Sequence, residues 1–127
     1  DPDHVEPLNF VGCGLADRGL RLEEAERMVK RALQLKPGNG YITDSMGWVY
    51  FRMNDLPRAA KYLEEAHRML PEDPTIAEHL GDVYLKMGRN KETLRLYREG
   101  VERNPGSAEL KKKVKGRLSA PKKKPSR

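Results

Sequence analysis

The chain has 127 residues, of which 37% are hydrophobic and 35% charged, and a formal net charge of +6. That length fits one domain, and no stretch approaches the roughly 20 apolar residues that a membrane-spanning helix requires. A single cysteine, Cys13, excludes an internal disulfide.

Four prolines divide the chain at nearly equal intervals, Pro2, Pro37, Pro71 and Pro105, and Gly12, Gly47 and Gly81 run in phase with them. Ala25, Ala59 and Thr93 form a third ladder, and Ala32, Ala66 and Gly100 a fourth. A fixed period of this length signals a helical repeat array, an all-α fold with no sheet.

The first helix carries Leu8, Val11 and Leu15, and the second Ala25, Val29 and Ala32. Asp3 and Glu6 read as a capping box before the first helix. The turn from Asp17 to Leu22 is one residue longer than its counterparts. In the next repeat Ile42, Met46, Val49, Tyr50 and Met53 form one apolar stripe of a third helix. Gly47 beside that stripe lets a fourth helix approach, which starts near Leu56 and buries Ala59, Leu63, Ala66 and Leu70. Pro71 then ends it, having no N–H and clashing with the preceding turn. Asp73-Pro74 is an N-cap with a first-turn proline before the fifth helix. The fifth helix buries Ile76, Leu80, Val83, Tyr84 and Met87, and the sixth Leu94, Tyr97 and Val101. Asn90 and Ser107 are the expected N-caps of the sixth helix and of a last one carrying Leu110, Val114 and Leu118. That last helix has too little apolar surface to stand alone, and is expected to cover the open end of the array.

This pattern resembles the tetratricopeptide repeat family over about residues 3–118. The residues that carry the resemblance are Met46-Gly47, Tyr50, Ala59, Leu63, Ala66 and Pro71, then Leu80-Gly81, Tyr84, Gly88, Tyr97 and Pro105. Thr43 and Ala77 stand where the family has a large residue, Asn54 replaces the turn glycine, and Thr93 and Gly100 replace two alanines. The resemblance implies a right-handed α-solenoid of three helix pairs, at about 5–39, 40–73 and 74–107, plus a capping helix at about 107–118. These make a domain over 1–119, followed by a basic disordered tail at 120–127. The stretches LADRGLRLEEAE and DSMGWVYFR look like the C-terminal repeats of longer bacterial proteins, often envelope-associated. Asp1-Pro2 stands where a preceding repeat would end, and an upstream repeat is expected to cover the first helix. The compartment stays open between cytoplasm and periplasm.

Charge separates the chain in two. Residues 108–127 hold nine Lys or Arg and one Glu, whereas residues 1–107 hold 16 basic and 18 acidic residues. Lys111, Lys112, Lys113, Lys122, Lys123 and Lys124 therefore offer a secondary route to anionic lipid or nucleic acid. The other reading of this run is a solvated helix face and a solubilising tail, and no aromatic residue interleaves with it for base stacking.

No catalytic, cofactor or metal site is expected. The three histidines are far apart in sequence, and neither HExxH nor CxxC occurs. Gly12-Cys13-Gly14 lacks the third glycine and the preceding strand of a dinucleotide loop.

The side of the third helix away from its apolar stripe carries Trp48, with Tyr41, Asp44, Ser45, Phe51 and Arg52 within about 60° of it. The resemblance places this side on the concave groove. The corresponding positions include Asn9 and Cys13 in the first repeat, and His79, Asp82 and Lys86 in the third. The expected function is a protein-interaction scaffold holding a peptide or helix of a partner there, with self-association also open. Trp48 as extra core is the alternative. Family members that grip the EEVD tails of chaperones use Lys, Asn and Arg at set groove positions. Here those positions hold Asn9, Cys13, Ser45, Thr75 and His79, so the cationic clamp for a terminal carboxylate is missing.

Overall fold

The computed structural model describes residues 5–119, without the side chains of Glu6 and Ser119. The Asp3–Glu6 capping box, the tail at 120–127 and Lys122, Lys123 and Lys124 fall outside what is described. Among the described residues there are seven α-helices and no strand: α1 Val5–Asp17, α2 Leu22–Leu35, α3 Gly40–Arg52, α4 Leu56–Met69, α5 Pro74–Lys86, α6 Asn90–Arg103 and α7 Ala108–Ser119. The chain is an all-α helical-repeat solenoid. Three hairpins, α1–α2, α3–α4 and α5–α6, stack in order, with α7 resting on α6. None of the helices is long and apolar enough to cross a membrane.

The glycine ladder works by contact. A Cβ on Gly47 would stand 2.6 Å from Leu63 Cγ, one on Gly81 2.6 Å from the Tyr97 ring, and one on Gly12 2.6 Å from Val29. Each hairpin thus presses a large side chain of its second helix onto the bare backbone of its first. Asn54 takes a left-handed φ of 62°, matching the φ of 81° at Gly88, so an asparagine serves where the next repeat has glycine. Thr43 and Thr93 are buried, and each hydroxyl donates to the carbonyl four residues back, on Asn39 and Arg89.

Neighbouring hairpins are tied by tyrosines. Tyr50 donates to Glu26 of α2 at 2.7 Å, and Tyr84 donates to Glu64 of α4 at 2.5 Å. Burial, then the adjacent carboxylate, pushes both phenols up to about 12. Asp73 caps α5 as expected, accepting from Thr75 and Ile76, and Ser107 accepts from Leu110 at the start of α7. The expected cap at Asn90 is not one. Asn90 is the first residue of α6, and Arg89 holds the cap position without a side-chain cap bond. The Arg89 guanidinium instead pairs with Glu92 and lies over the Tyr84 ring.

Three expected core sets change at the ends of the array. In α1, Val11 is 44% exposed and Phe10 81% exposed, while Val5, Gly12 and Ala16 are buried. Met87 lies at the end of α5 and is exposed. In α6 the buried residues are Thr93, Leu96, Tyr97 and Gly100, and Leu94 and Val101 are only half-buried. The helical stripe was read one edge too far round, because no later hairpin packs on that edge of α6 among the described residues.

Candidate functional site

Helices α1, α3 and α5 form one wall, with α3 packed against both neighbours. On it Trp48 is half-buried at the centre of a small aromatic and acidic cluster. Its indole stacks on the His79 ring of α5, with centroids 4.1 Å apart, and on Phe51 at 4.8 Å. Its Nε1–H donates to Asp17 Oδ1 at the end of α1, at 2.6 Å. His79 Nδ1 lies 2.9 Å from Asp44 Oδ1. One tryptophan therefore joins three hairpins, and the sites predicted at Asp44, Trp48 and His79 come together.

The other predicted residues divide. Asp82 accepts from Tyr97 at 2.5 Å and from Lys113 of α7 at 3.1 Å, and Lys113 also pairs with Glu78 at 2.6 Å. The acidic charge at the α5 end of the wall is thus partly offset from α7, which the sequence did not foreshadow. Arg52 donates to the Ala16 carbonyl at 3.0 Å, holding the end of α1. Lys86 sits 5.8 Å from the centre of the Phe51 ring. Tyr41 is exposed and lines a separate surface cleft with Leu70 and Pro74 at the α4–α5 turn. Ser45 is buried and donates back to the Tyr41 carbonyl, so it lies beneath the wall instead of on it. Asn9 and Cys13 are half-buried on α1, and the buried Asn9 Oδ1 has no hydrogen-bond partner. Burial raises the Cys13 thiol above 9.0, and the negative charges of Asp17 and Asp44 add to this. It is therefore held as an unreactive thiol at neutral pH. Phe51 was on the predicted stripe and Asp17 at a corresponding position of the first repeat, but neither was among the chosen site residues. The indole N–H, which requires an acceptor when half-buried, was the signal that pointed to an acid nearby.

Among the described residues no group of three or more His, Cys, Asp or Glu side chains is placed to hold a metal ion. Of the basic residues proposed for lipid or nucleic acid, Lys111 and Lys112 are exposed, whereas Lys113 is committed to Glu78 and Asp82.

His79 sets a pH dependence. Burial pulls its pKa down, but the bond to Asp44 and the charges of Asp44, Asp82 and Glu78 outweigh this and leave it above the ordinary 6.5. A raised folded pKa means that the imidazolium contributes stability fully below the unfolded value, and that this is lost as pH rises through the folded one. The melting temperature is therefore expected to fall as the pH rises above the ordinary 6.5 of an imidazole, and His79→Gln to remove most of that fall. Thermal melts at several pH values check this; an equal fall in the variant would place the titrating group elsewhere.

A family profile described as tetratricopeptide repeat matches residues 50–116. A TPR repeat-containing protein of Pseudomonas aeruginosa is 40% identical over 82 residues, covering 65% of this chain and 14% of that protein. The chain spans about a seventh of the length of the curated relatives it matches. A thermophilic TPR protein of Thermus thermophilus superimposes with a TM-score of 0.81 at 23% identity, over 93% of this chain and 66% of that one. The first TPR of Spaghetti (RPAP3) bound to the HSP90 peptide SRMEEVD superimposes with a TM-score of 0.81 at 16% identity, over 93% of each chain.

Proposed function

Because this chain belongs to the tetratricopeptide repeat family, we propose that it is a protein-interaction scaffold which holds a peptide or helix of a partner protein against the wall of α1, α3 and α5. The observation that carries the reading is the Trp48 cluster, a half-buried aromatic surface bordered by Asp17 and Asp44. Trp is a frequent anchor at protein interfaces, because it buries much area and still donates a hydrogen bond. The structural relative in complex with an HSP90 peptide supports a peptide ligand in general. That peptide is acidic at its end, and this chain has Asn9, Cys13, Ser45, Thr75 and His79 at the positions of the carboxylate clamp. The acids beside Trp48 favour instead a ligand carrying Lys or Arg. With Glu78 and Asp82 already paired to Lys113, that preference centres on the α1–α3 half of the wall.

Trp48 is the sole tryptophan, so its emission reports on the site directly. Pools of synthetic peptides rich in Lys and Arg are expected to shift that emission and saturate, and pools rich in Asp and Glu are not. Asp44→Asn is expected to weaken the basic pool about tenfold, the scale of one charge-assisted contact. An acidic pool that binds as well as the basic one would overturn the reading. So would binding that falls steeply with salt and leaves the Trp48 emission unchanged, which is the behaviour of a basic terminus on lipid or nucleic acid.

A further inference from the structure

The C-terminal end of the array presents a second surface, on the other side of α7 from Lys113. An open cleft of about 390 Å³ runs between α6 and α7. Its apolar floor is Val101, Val114 and Leu118, the last 59% exposed. Arg98, Lys111 and Lys115 rim it, against the single acid Glu102. A second depression along α6 shares Arg98 and Glu102 and adds Leu94, Lys91 and Arg95. Its other acid, Glu99, is directed toward His67 of α4 at 3.3 Å. The two depressions make one apolar strip edged by five cations.

The geometry points to this cleft as a docking site for an acidic amphipathic helix of a partner protein. The floor residues follow helical spacing on both helices, Leu94 and Val101 on α6, Val114 and Leu118 on α7, so a helix laid between them meets a complementary stripe. In the array each first helix of a hairpin already carries a second helix on one face, α2 on α1, α4 on α3 and α6 on α5. Helix α7 differs from α1, α3 and α5 at one position. Lys115 stands 34 residues after Gly81, where each earlier first helix has the glycine that lets its mate press in. An occupant of this cleft is therefore held further away than an ordinary repeat mate. The charge of the rim excludes residues 120–127 of this chain as the occupant, because they carry Lys122, Lys123, Lys124 and Arg127 and no acid. The concave shape of the strip between two helices suits a helix better than a flat lipid surface.

The test is calorimetric titration of the full chain with a synthetic amphipathic helix bearing leucines at i, i+3, i+4 and i+7 and glutamates on its flanks. A control peptide carries lysines in place of the glutamates, and vesicles containing an anionic phospholipid form a third arm. The acidic peptide is expected to bind, with about tenfold or greater weakening by Leu118→Asp and by Lys111→Glu. Both changes are on exposed positions and are expected to leave the circular dichroism and the melt unchanged. Trp48→Ala is expected to leave this affinity unaltered, which separates the cleft from the groove of the proposed function. Equal binding of the acidic and basic peptides, or affinity indifferent to Leu118→Asp, overturns the proposal. So does binding of the vesicles without the peptide. Self-association that Leu118→Asp abolishes, with no peptide binding, overturns it in favour of a second copy.

Discussion

Leu63→Ala is expected to lower the free energy of unfolding by about 2–5 kcal/mol, the range for large-to-small changes at buried sites. Leu63 is fully buried in α4 and lies directly over Gly47 of α3. Its neighbours on α4, Ala59 and Ala66, are small, and Gly47 has no side chain. Small residues around it leave few side chains to fill the space, which puts the expected cost toward the upper part of the range. The converse change, Gly47→Ala, is expected to cost about 1–3 kcal/mol through overpacking, even though alanine gains roughly 1 kcal/mol of helix propensity. Its Cβ would also stand 3.1 Å from the Leu63 backbone nitrogen, and backbone does not swing aside. Because each change relieves the strain or the void of the other, the double variant is expected to be more stable than the sum of the two costs predicts, by more than 0.5 kcal/mol. Chemical denaturation of the four proteins gives the coupling. Strict additivity would mean that the α3–α4 contact is looser than the 2.6 Å approach requires.

Trp48→Ala is expected to weaken binding of a basic peptide by about 2 kcal/mol or more, as truncation of an interface anchor does. The position of Trp48 opposite the apolar stripe makes this change far less costly to stability than a core change. The remaining cost comes from the indole, which stacks on His79 and donates to Asp17. One lost hydrogen bond of about 0.5–1.5 kcal/mol and one lost aromatic stack of about 0.5–1.5 kcal/mol set the stability cost. That remains below the cost at Leu63. Trp48→Phe separates the two contributions, keeping a ring against His79 and deleting the N–H. Melting and peptide affinity measured on both variants decide the matter. A Trp48→Ala protein that loses stability on the scale of Leu63→Ala, while its folded fraction binds peptide unchanged, would make Trp48 core and remove the groove from consideration.

The repeat architecture was legible in the sequence because period alone specifies it. Gly12, Gly47 and Gly81, and Ala25 and Ala59 facing them, are requirements for two helices to approach closely, and such requirements act locally within one hairpin. The same holds for the Asp73 and Ser107 caps and for the left-handed turn at Asn54. The helical wheel correctly grouped Asp44, Trp48 and Phe51 on one side of α3, since angular position is a property of the helix itself.

What a wheel cannot contain is the neighbour. Asp82 looked open until Tyr97 and Lys113 arrived from α6 and α7. Ser45 faced outward on α3 until α1 packed over it, and Arg52 was assigned to the groove although the end of α1 holds it. Val11, Leu94 and Val101 fit the apolar stripes equally well, yet they lie on the outermost of the described hairpins, where no further described helix covers them. The sequence by itself determined the helices, their pairing and the faces they present. The tertiary structure decided which of those faces are covered, because burial and charge pairing between hairpins depend on the distance between segments remote in the chain, and periodicity carries no record of that distance.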